Sequence, residues 1–419
     1  MKRFFFPALG GALLALCLAA SALAEVVSYP PGTLQGLRYG TGGSYTNALA
    51  PTNSAGPVGV NAKSPSVNGG NATAPTNSVT LLAGGMPSWV LGAVNFLDTD
   101  AVSYNQAAIT DGLVIADVYG GCHWLENGNT VATNNRATIS GGTVLVTVYG
   151  GRAWSNAGGN ASASGNTATI NGGAMTAVRG GYAYSANGTA TASNNTVDIS
   201  DGSIFDHNAT PPALATASVV GGHAVSTVGG VAVALNNTVK ISAAPSTLDL
   251  ALVSLYGGYA SGGATLTSTG NTLQIAAAAL GVEVRALYRF QKMDFTLPAT
   301  LALGTPMVTV SYAVDFGTDA QISASAPGMT VNTGDTFTLI DATGAAIGGT
   351  VIPAPGSTFN GYNYTVEIVN SQLILTVGTQ GQGPTPAATA IPTLGNIGLA
   401  SLGLLLAGLA IATRRRGSA

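Results

Sequence analysis

The sequence predicts an all-β chain, a parallel β-solenoid in which one strand-and-turn unit repeats and stacks on itself. Three observations predict it. First, six segments carry an Asn followed four residues later by an Ile: Asn105…Ile109, Asn135…Ile139, Asn166…Ile170, Asn195…Ile199, Asn237…Ile241 and Asn271…Ile275. The intervals between the isoleucines are 30, 31, 29, 42 and 34 residues, and Asn77…Leu81, 28 residues earlier, reads as a seventh copy. Second, a Gly pair recurs between these segments: Val118-Tyr119-Gly120-Gly121, Val148-Tyr149-Gly150-Gly151, Val178-Arg179-Gly180-Gly181, Val219-Val220-Gly221-Gly222 and Leu255-Tyr256-Gly257-Gly258. Third, turn signals such as Thr110-Asp111-Gly112, Ser140-Gly141-Gly142, Asn171-Gly172-Gly173 and Ser200-Asp201-Gly202 follow the isoleucines. Short β-branched runs cut by glycines suit strands that turn at fixed corners, not helices.

One such unit cannot bury its own apolar face, so it must stack. Stacking places Ile over Ile and Asn over Asn at about 4.8 Å per rung. An amide side chain offers both a donor and an acceptor, so a column of Asn can bond to itself and to the turn backbone. Glycine is expected at the corners because it adopts φ > 0 freely. Ala153, Ala183, Ala224 and Ala260 fall two positions after their Gly pairs and are expected to let walls approach inside a narrow prism. The longer intervals predict loops bulging out of the coil, at Phe205 to Pro212 and at Ala243 to Thr247. Gly is 58 of 419 residues but has no every-third-residue period, which excludes collagen.

The elements follow in order. In 1–24, Lys2 and Arg3 precede an apolar run, and Ala22-Leu23-Ala24 has a small-x-small pattern, so this is read as a cleaved signal peptide. Residues 25–76, rich in Ser, Thr, Asn, Pro and Gly, are read as an irregular N-terminal cap. The repetitive solenoid occupies 77–279. Residues 280–379, with runs such as Phe337-Thr338-Leu339-Ile340 and Leu373-Ile374-Leu375-Thr376-Val377, continue and cap the coil. A Gly/Pro/Ala/Thr linker spans 380–390. From Ile391 to Thr413, 23 residues are enough to cross about 30 Å of hydrocarbon as a transmembrane helix. Arg414, Arg415 and Arg416 would stay on the cytoplasmic side, with the body outside.

The tail carries Ile391-Pro392-Thr393-Leu394, then an apolar Leu/Gly-rich stretch, then the arginine cluster. That order resembles the IPTL-type C-terminal sorting domain of Gram-negative bacteria. The resemblance implies recognition by an exosortase-like or related membrane transpeptidase. It implies delivery to the cell surface or outer membrane, or retention in the inner membrane with the body in the periplasm. The body resembles the right-handed parallel β-helix passengers of autotransporters and filamentous adhesins, without the outer-membrane barrel that autotransporters carry.

The chemistry is sparse. Charged residues make up 7% of the chain, and the 14 Lys and Arg are too scattered for nucleic acid. Five of those 14 lie in the two ends, leaving nine against 17 Asp and Glu in the body, a net of −8 that argues against anionic polymers as ligands. Cys122 is the one cysteine beyond the signal segment, so no internal disulfide forms. His123, His207 and His223 have no metal-site spacing, and no cofactor motif is present. Asp98, Asp100, Asp111 and Asp117, or Asp201 with Asp206, are the carboxylates available to a glycosidase or polysaccharide lyase, which needs two flanking one bond. The other candidate is a stripe. Tyr119, Trp124, Tyr149, Arg152, Trp154, Tyr182, Tyr184, Tyr256 and Tyr259 fall one or three positions after the Gly pairs, or just before them. With the alanines pointing in, these side chains face away from them and offer a surface to glycans or to a surface protein. The sequence therefore predicts a non-enzymatic surface protein, adhesin-like or structural. The alternatives are a carbohydrate-active β-helix enzyme and a self-assembling fibre.

Overall fold

The computed structural model describes residues 78–81, 88–95, 100–205 and 217–381, with strand placement also for Glu25–Val27, Arg38–Tyr39 and Ser66–Asn68. It is an all-β solenoid of right-handed type with about 8 turns. The chain divides into Met1–Thr379 and Gln380–Ala419; the solenoid belongs to the first unit, and 382–419 lie outside the described residues. Among the described residues the helical element is a single 3-10 turn, Ala277–Ala279, and no helix is long and apolar enough to cross a membrane. The signal segment 1–24 and the transmembrane span expected at 391–413 both lie outside the described residues.

Two sheets run along the stack, one of 28 strands that is parallel up to its final pair and a parallel one of six. The rungs pair in the register read from the sequence. Leu81, Ile109, Ile139, Ile170, Ile199, Ile241 and Ile275 stand over one another in successive parallel pairs. All are essentially inaccessible to solvent, and each buried Ile contributes about 1.5–3 kcal/mol of transfer free energy. Val118, Val148, Val178, Val219 and Leu255 form the facing column.

Each rung has two lobes. The wide lobe holds the Ile, Val and Leu columns. The narrow lobe is built from alanine: Ala132, Ala163, Ala192 and Ala234 of the six-stranded sheet meet Ala153, Ala183, Ala224 and Ala260 of the opposite wall. A methyl group is the largest side chain this gap repeatedly admits. His123 is the departure, paired in register with Ala153 and fully buried, with Nδ1 accepting the Val131 N–H at 2.9 Å. This histidine therefore occupies an alanine position of the narrow lobe.

Between the lobes stands the Asn ladder. Asn135 donates from Nδ2 to Oδ1 of Asn166 at 3.1 Å, Asn166 to Asn195 at 3.0 Å, Asn195 to Asn237 at 3.0 Å and Asn237 to Asn271 at 3.0 Å. The same oxygens accept the backbone N–H of the preceding Asn, and each Nδ2 also reaches a narrow-lobe carbonyl, such as that of Ala132 from Asn166. The ladder ends where Asn271 donates to Oε1 of Gln291.

The Gly pairs have another purpose than the expected one. Gly150 and Gly151 lie within the strand Thr143–Gly158, and no glycine of these pairs has a positive φ. The second glycine of each pair abuts the Asn side chain, where a Cβ would overlap it; the first abuts the carbonyl of the equivalent glycine one rung on or, at Gly257, that of Arg289. They are sites of close approach, not corners. The left-handed conformation falls at Gly112, Gly142, Gly173 and Gly202 after the isoleucines. It also falls at the residue before each ladder Asn: Tyr104, Asn134, Gly165, Asn194, Asn236 and Gly270, with φ between 52° and 68°.

Of the loop expected at Phe205 to Pro212, Phe205 is described and 206–216 lie outside the described residues. The stack is undisturbed, since Met175 pairs with Ile204 and Ala177 with Ser218. After Ile275 the rung shortens. The chain passes from Tyr288 through Arg289 and buried Phe290 straight to Gln291, and the narrow lobe stops at Thr265–Thr269. The wide lobe continues in parallel, with Ile275 over Phe295, and ends in an antiparallel pair, Thr336–Asp341 with Gln372–Gln380.

Candidate functional site: a wall of rings and arginines

The strand after each Gly pair alternates its side chains. Ala153, Ala183, Ala224 and Ala260 enter the narrow lobe, so their neighbours face the other way. Parallel register stacks those neighbours into columns. Tyr119, Tyr149, Arg179, Val220 and Tyr256 form one; Cys122, Arg152, Tyr182, His223 and Tyr259 a second; Trp124, Trp154, Tyr184 and Val225 a third. All nine stripe residues read from the sequence therefore come together on one face.

They do not stand free in solvent. Tyr119, Trp124, Tyr149, Arg152 and Tyr182 are buried, while Trp154, Tyr184, Tyr256 and Tyr259 are half-buried. At rung spacing, rings in neighbouring rungs dehydrate one another. Tyr119 stacks on Tyr149 with centroids 5.0 Å apart, and Trp154 stacks on Tyr184 at 4.0 Å. His223 bridges Tyr182 and Tyr259 edge-on at 5.0 and 4.9 Å. The guanidinium of Arg152 lies 4.4 Å from the Trp154 ring centre, and that of Arg179 lies 5.4 Å from Tyr149 and 5.1 Å from Tyr182. Such contacts contribute about 0.5–2 kcal/mol each.

A polar relay crosses this wall. Arg152 Nη1 donates to the Tyr119 hydroxyl at 2.7 Å, and that hydroxyl donates to Asp117 Oδ2 at 2.8 Å. Asp117 Oδ1 accepts the Thr147 N–H at 3.0 Å. Burial raises the Asp117 carboxyl above its ordinary value against the opposing pull of Arg152. Burial pushes the Cys122 thiol up to about 11, so it stays protonated and inert. Burial, with Arg179 beside it, holds His223 well below the usual imidazole range, so the ring is neutral at pH 7.

Two of these shifts tie stability to alkaline pH. Cys122 is raised from 9.0 to about 11 and Tyr182 from 10.0 to about 12. Both are neutral when buried, so their contribution is complete below pH 9. It is lost as the unfolded chain ionises first and the pH climbs through the folded values. Urea midpoints should hold steady from pH 7 to 8.5 and fall between pH 9 and 12. A midpoint unchanged at pH 11 would show that neither group is dehydrated.

Among the described residues, the carboxylates considered for hydrolysis are each placed separately. Asp98 and Asp206 lie outside the described residues. Asp111 and Asp201 each close their own turn, accepting the N–H of Gly112 and Gly202 at 2.7 Å. Asp100 is exposed, and Asp117 is engaged in the relay. Among the described residues no group of three His, Cys, Asp or Glu is placed to hold a metal ion. Sequence reasoning missed the relay, and it missed Trp89, which joins the ring cluster one rung earlier. The signal was there in Leu91-Gly92-Ala93, a degenerate Gly pair whose Leu91 pairs with Tyr119.

Fold and site together define a parallel β-solenoid with two cores, an amide septum and one lateral wall of rings and arginines. Beyond that solenoid, residues 389–416 match the IPTL-CTERM motif, which contains Ile391, Pro392, Thr393, Leu394 and Arg414 to Arg416. This C-terminal sorting motif points to an exported chain targeted to the cell surface and processed by a sorting machinery. The motif's own residues lie outside the described ones. No curated protein and no solved structure matches the chain.

Proposed function

We propose that the chain is a non-enzymatic surface protein, adhesin-like or a structural matrix component, whose stiff coil displays the ring wall as a ligand-binding stripe. The observation that carries this is the sorting motif at 389–416 behind a body that is a single stacked coil. The non-enzymatic reading is supported by the carboxylates, since Asp111, Asp117 and Asp201 are each occupied by structural hydrogen bonds. The test is to fractionate cells and measure the intact mass of the surface-released form. A product ending near 391–394 supports processed sorting. A membrane-bound species ending at Ala419 overturns it.

One observation favours a second reading, a carbohydrate-active enzyme: Asp117 and Arg152 converge on the hydroxyl of Tyr119. Release of reducing ends or unsaturated products from a polysaccharide, abolished by Asp117→Asn in a folded variant, would establish the enzyme and remove the binding-only reading.

A further inference from the structure

We propose that the ring wall binds a carboxylated saccharide chain, laid along the stack axis with its carboxylates on Arg179 and its neighbouring arginines. This rests on the reading of the wall as a ligand stripe and names the class of ligand.

The body is acidic overall, yet its cations are not evenly spread. Of the nine Lys and Arg in 25–390, four lie along this wall: Arg152, Arg179, Arg285 and Arg289. Among the described residues the ion pair within 4.0 Å is Lys240 with Asp198, and none of the four wall arginines has a carboxylate at that distance. They lie instead over rings, Arg289 over Tyr259 at 5.6 Å and Arg285 over Tyr312 at 4.5 Å. Asp117 reaches Arg152 only through Tyr119, and Glu126, exposed at the rim, is engaged by Asn156. The net charge that argues against anionic ligands is thus reversed locally.

Unused donors point the same way. Arg152 is 5% exposed and its Nε has no partner; Arg179 Nε, Trp154 Nε1 and both ring nitrogens of His223 are likewise buried and unpartnered. A guanidinium and an indole can only donate. Leaving such groups dehydrated and unpaired costs about 1–3 kcal/mol each, so a cluster of them calls for a ligand rich in acceptors. Rings beside the donors call for flat C–H faces. A pyranose ring supplies those faces for Trp154 and Tyr184, its hydroxyls accept from the indole, and a carboxylate matches the guanidinium fork. A single-stranded nucleic acid also supplies rings and charge, so the test includes it as a competitor.

The test uses the full chain in detergent, measured by biolayer interferometry against immobilised polygalacturonate, its methyl ester, neutral dextran and single-stranded DNA. Polygalacturonate should bind at least tenfold tighter than either uncharged polymer, and weaken as salt rises. Arg179→Gln should lower that binding about tenfold, while Arg136→Gln, on the exposed face beside Thr138 and Thr169, should leave it unchanged. Coincident thermal melts confirm that both variants are folded. Equal binding of charged and uncharged polymers, lost in Trp154→Ala, would overturn the acidic class and leave the stripe standing. DNA binding as tight as polygalacturonate would overturn the saccharide. No binding to any polymer would overturn both the class and the stripe.

Discussion

Gly151→Ala should abolish folding or cost more than about 4 kcal/mol, a loss normally reserved for disrupted cores. The methyl group has no free direction. It overlaps the amide of Asn166, and that amide cannot turn away, because Oδ1 accepts from Asn135 and Nδ2 donates to Ala132 and Asn195. Relief would require the two walls to part at one rung while neighbouring rungs hold them together. The conformational preference of glycine is not at issue, since its φ is not in the left-handed region. Gly158→Ala is the matched control, in the same strand Thr143–Gly158, with no atom within 4 Å of the added methyl. That variant should unfold within about 0.5 kcal/mol of the parent, as surface changes do. The pair is compared by urea denaturation and circular dichroism. A folded Gly151→Ala protein with a parental midpoint would refute the close-approach explanation of the repeat.

Much of this architecture was legible because a solenoid writes its register into the sequence. A residue type that recurs every rung marks a column, and Ile139, Ile170 and Ile199 stand in such a column. The alanines of the narrow lobe were legible for the same reason, as were the columns of the ring wall. What a column does was harder to read. Gly150-Gly151 looked like a corner because glycine has two uses, freedom in φ and absence of a side chain, and composition does not separate them. The corner signal was carried by less regular residues, Asn134 and Asn194 among them, in the left-handed region that Asn tolerates.

Burial of the stripe was illegible for a geometric reason. Alternation along one strand says which side a ring faces, not how closely rings from successive rungs stack. Spacing of about 4.8 Å leaves little room between two aromatic faces, so Tyr119 and Tyr149 cover each other. The relay from Arg152 through Tyr119 to Asp117 joins residues of two rungs, on both sides of a Gly pair. Nothing in the local pattern marks it. The wall therefore has two parts with different physics. Its lower rungs are a sealed cluster around Tyr119 and Cys122, and its rungs from Trp154 to Tyr259 keep partly open rings beside guanidinium groups that no carboxylate pairs within 4.0 Å. The proposed binding is assigned to the second part, and the expected alkaline sensitivity to the first and to their boundary at Tyr182.

Asn166→Ala should destabilise the folded chain by about 3–5 kcal/mol. The side chain makes four hydrogen bonds: Oδ1 accepts from the N–H and Nδ2 of Asn135, at 3.0 and 3.1 Å, and Nδ2 donates to the Ala132 carbonyl and Asn195 Oδ1, at 2.9 and 3.0 Å. Truncation strips partners from groups on two rungs, and the septum is inaccessible to solvent. Each buried polar group left unsatisfied costs about 1–3 kcal/mol, which sets the range. Asn166→Asp discriminates the hydrogen-bond account from simple loss of volume, since it keeps the shape and replaces a donor by an acceptor. At pH 7 its carboxylate would face the Ala132 carbonyl and Asn195 Oδ1, so folding raises its pKa. A group raised on folding is least unfavourable when protonated, so the variant should regain stability as pH falls through that raised value. Urea midpoints at pH 7 and pH 4.5 check this for parent, Ala and Asp variants. A loss below about 1 kcal/mol for Ala, or an Asp variant that does not gain on its parent at pH 4.5, would mean that the amide column fills space between the two lobes rather than binding them together.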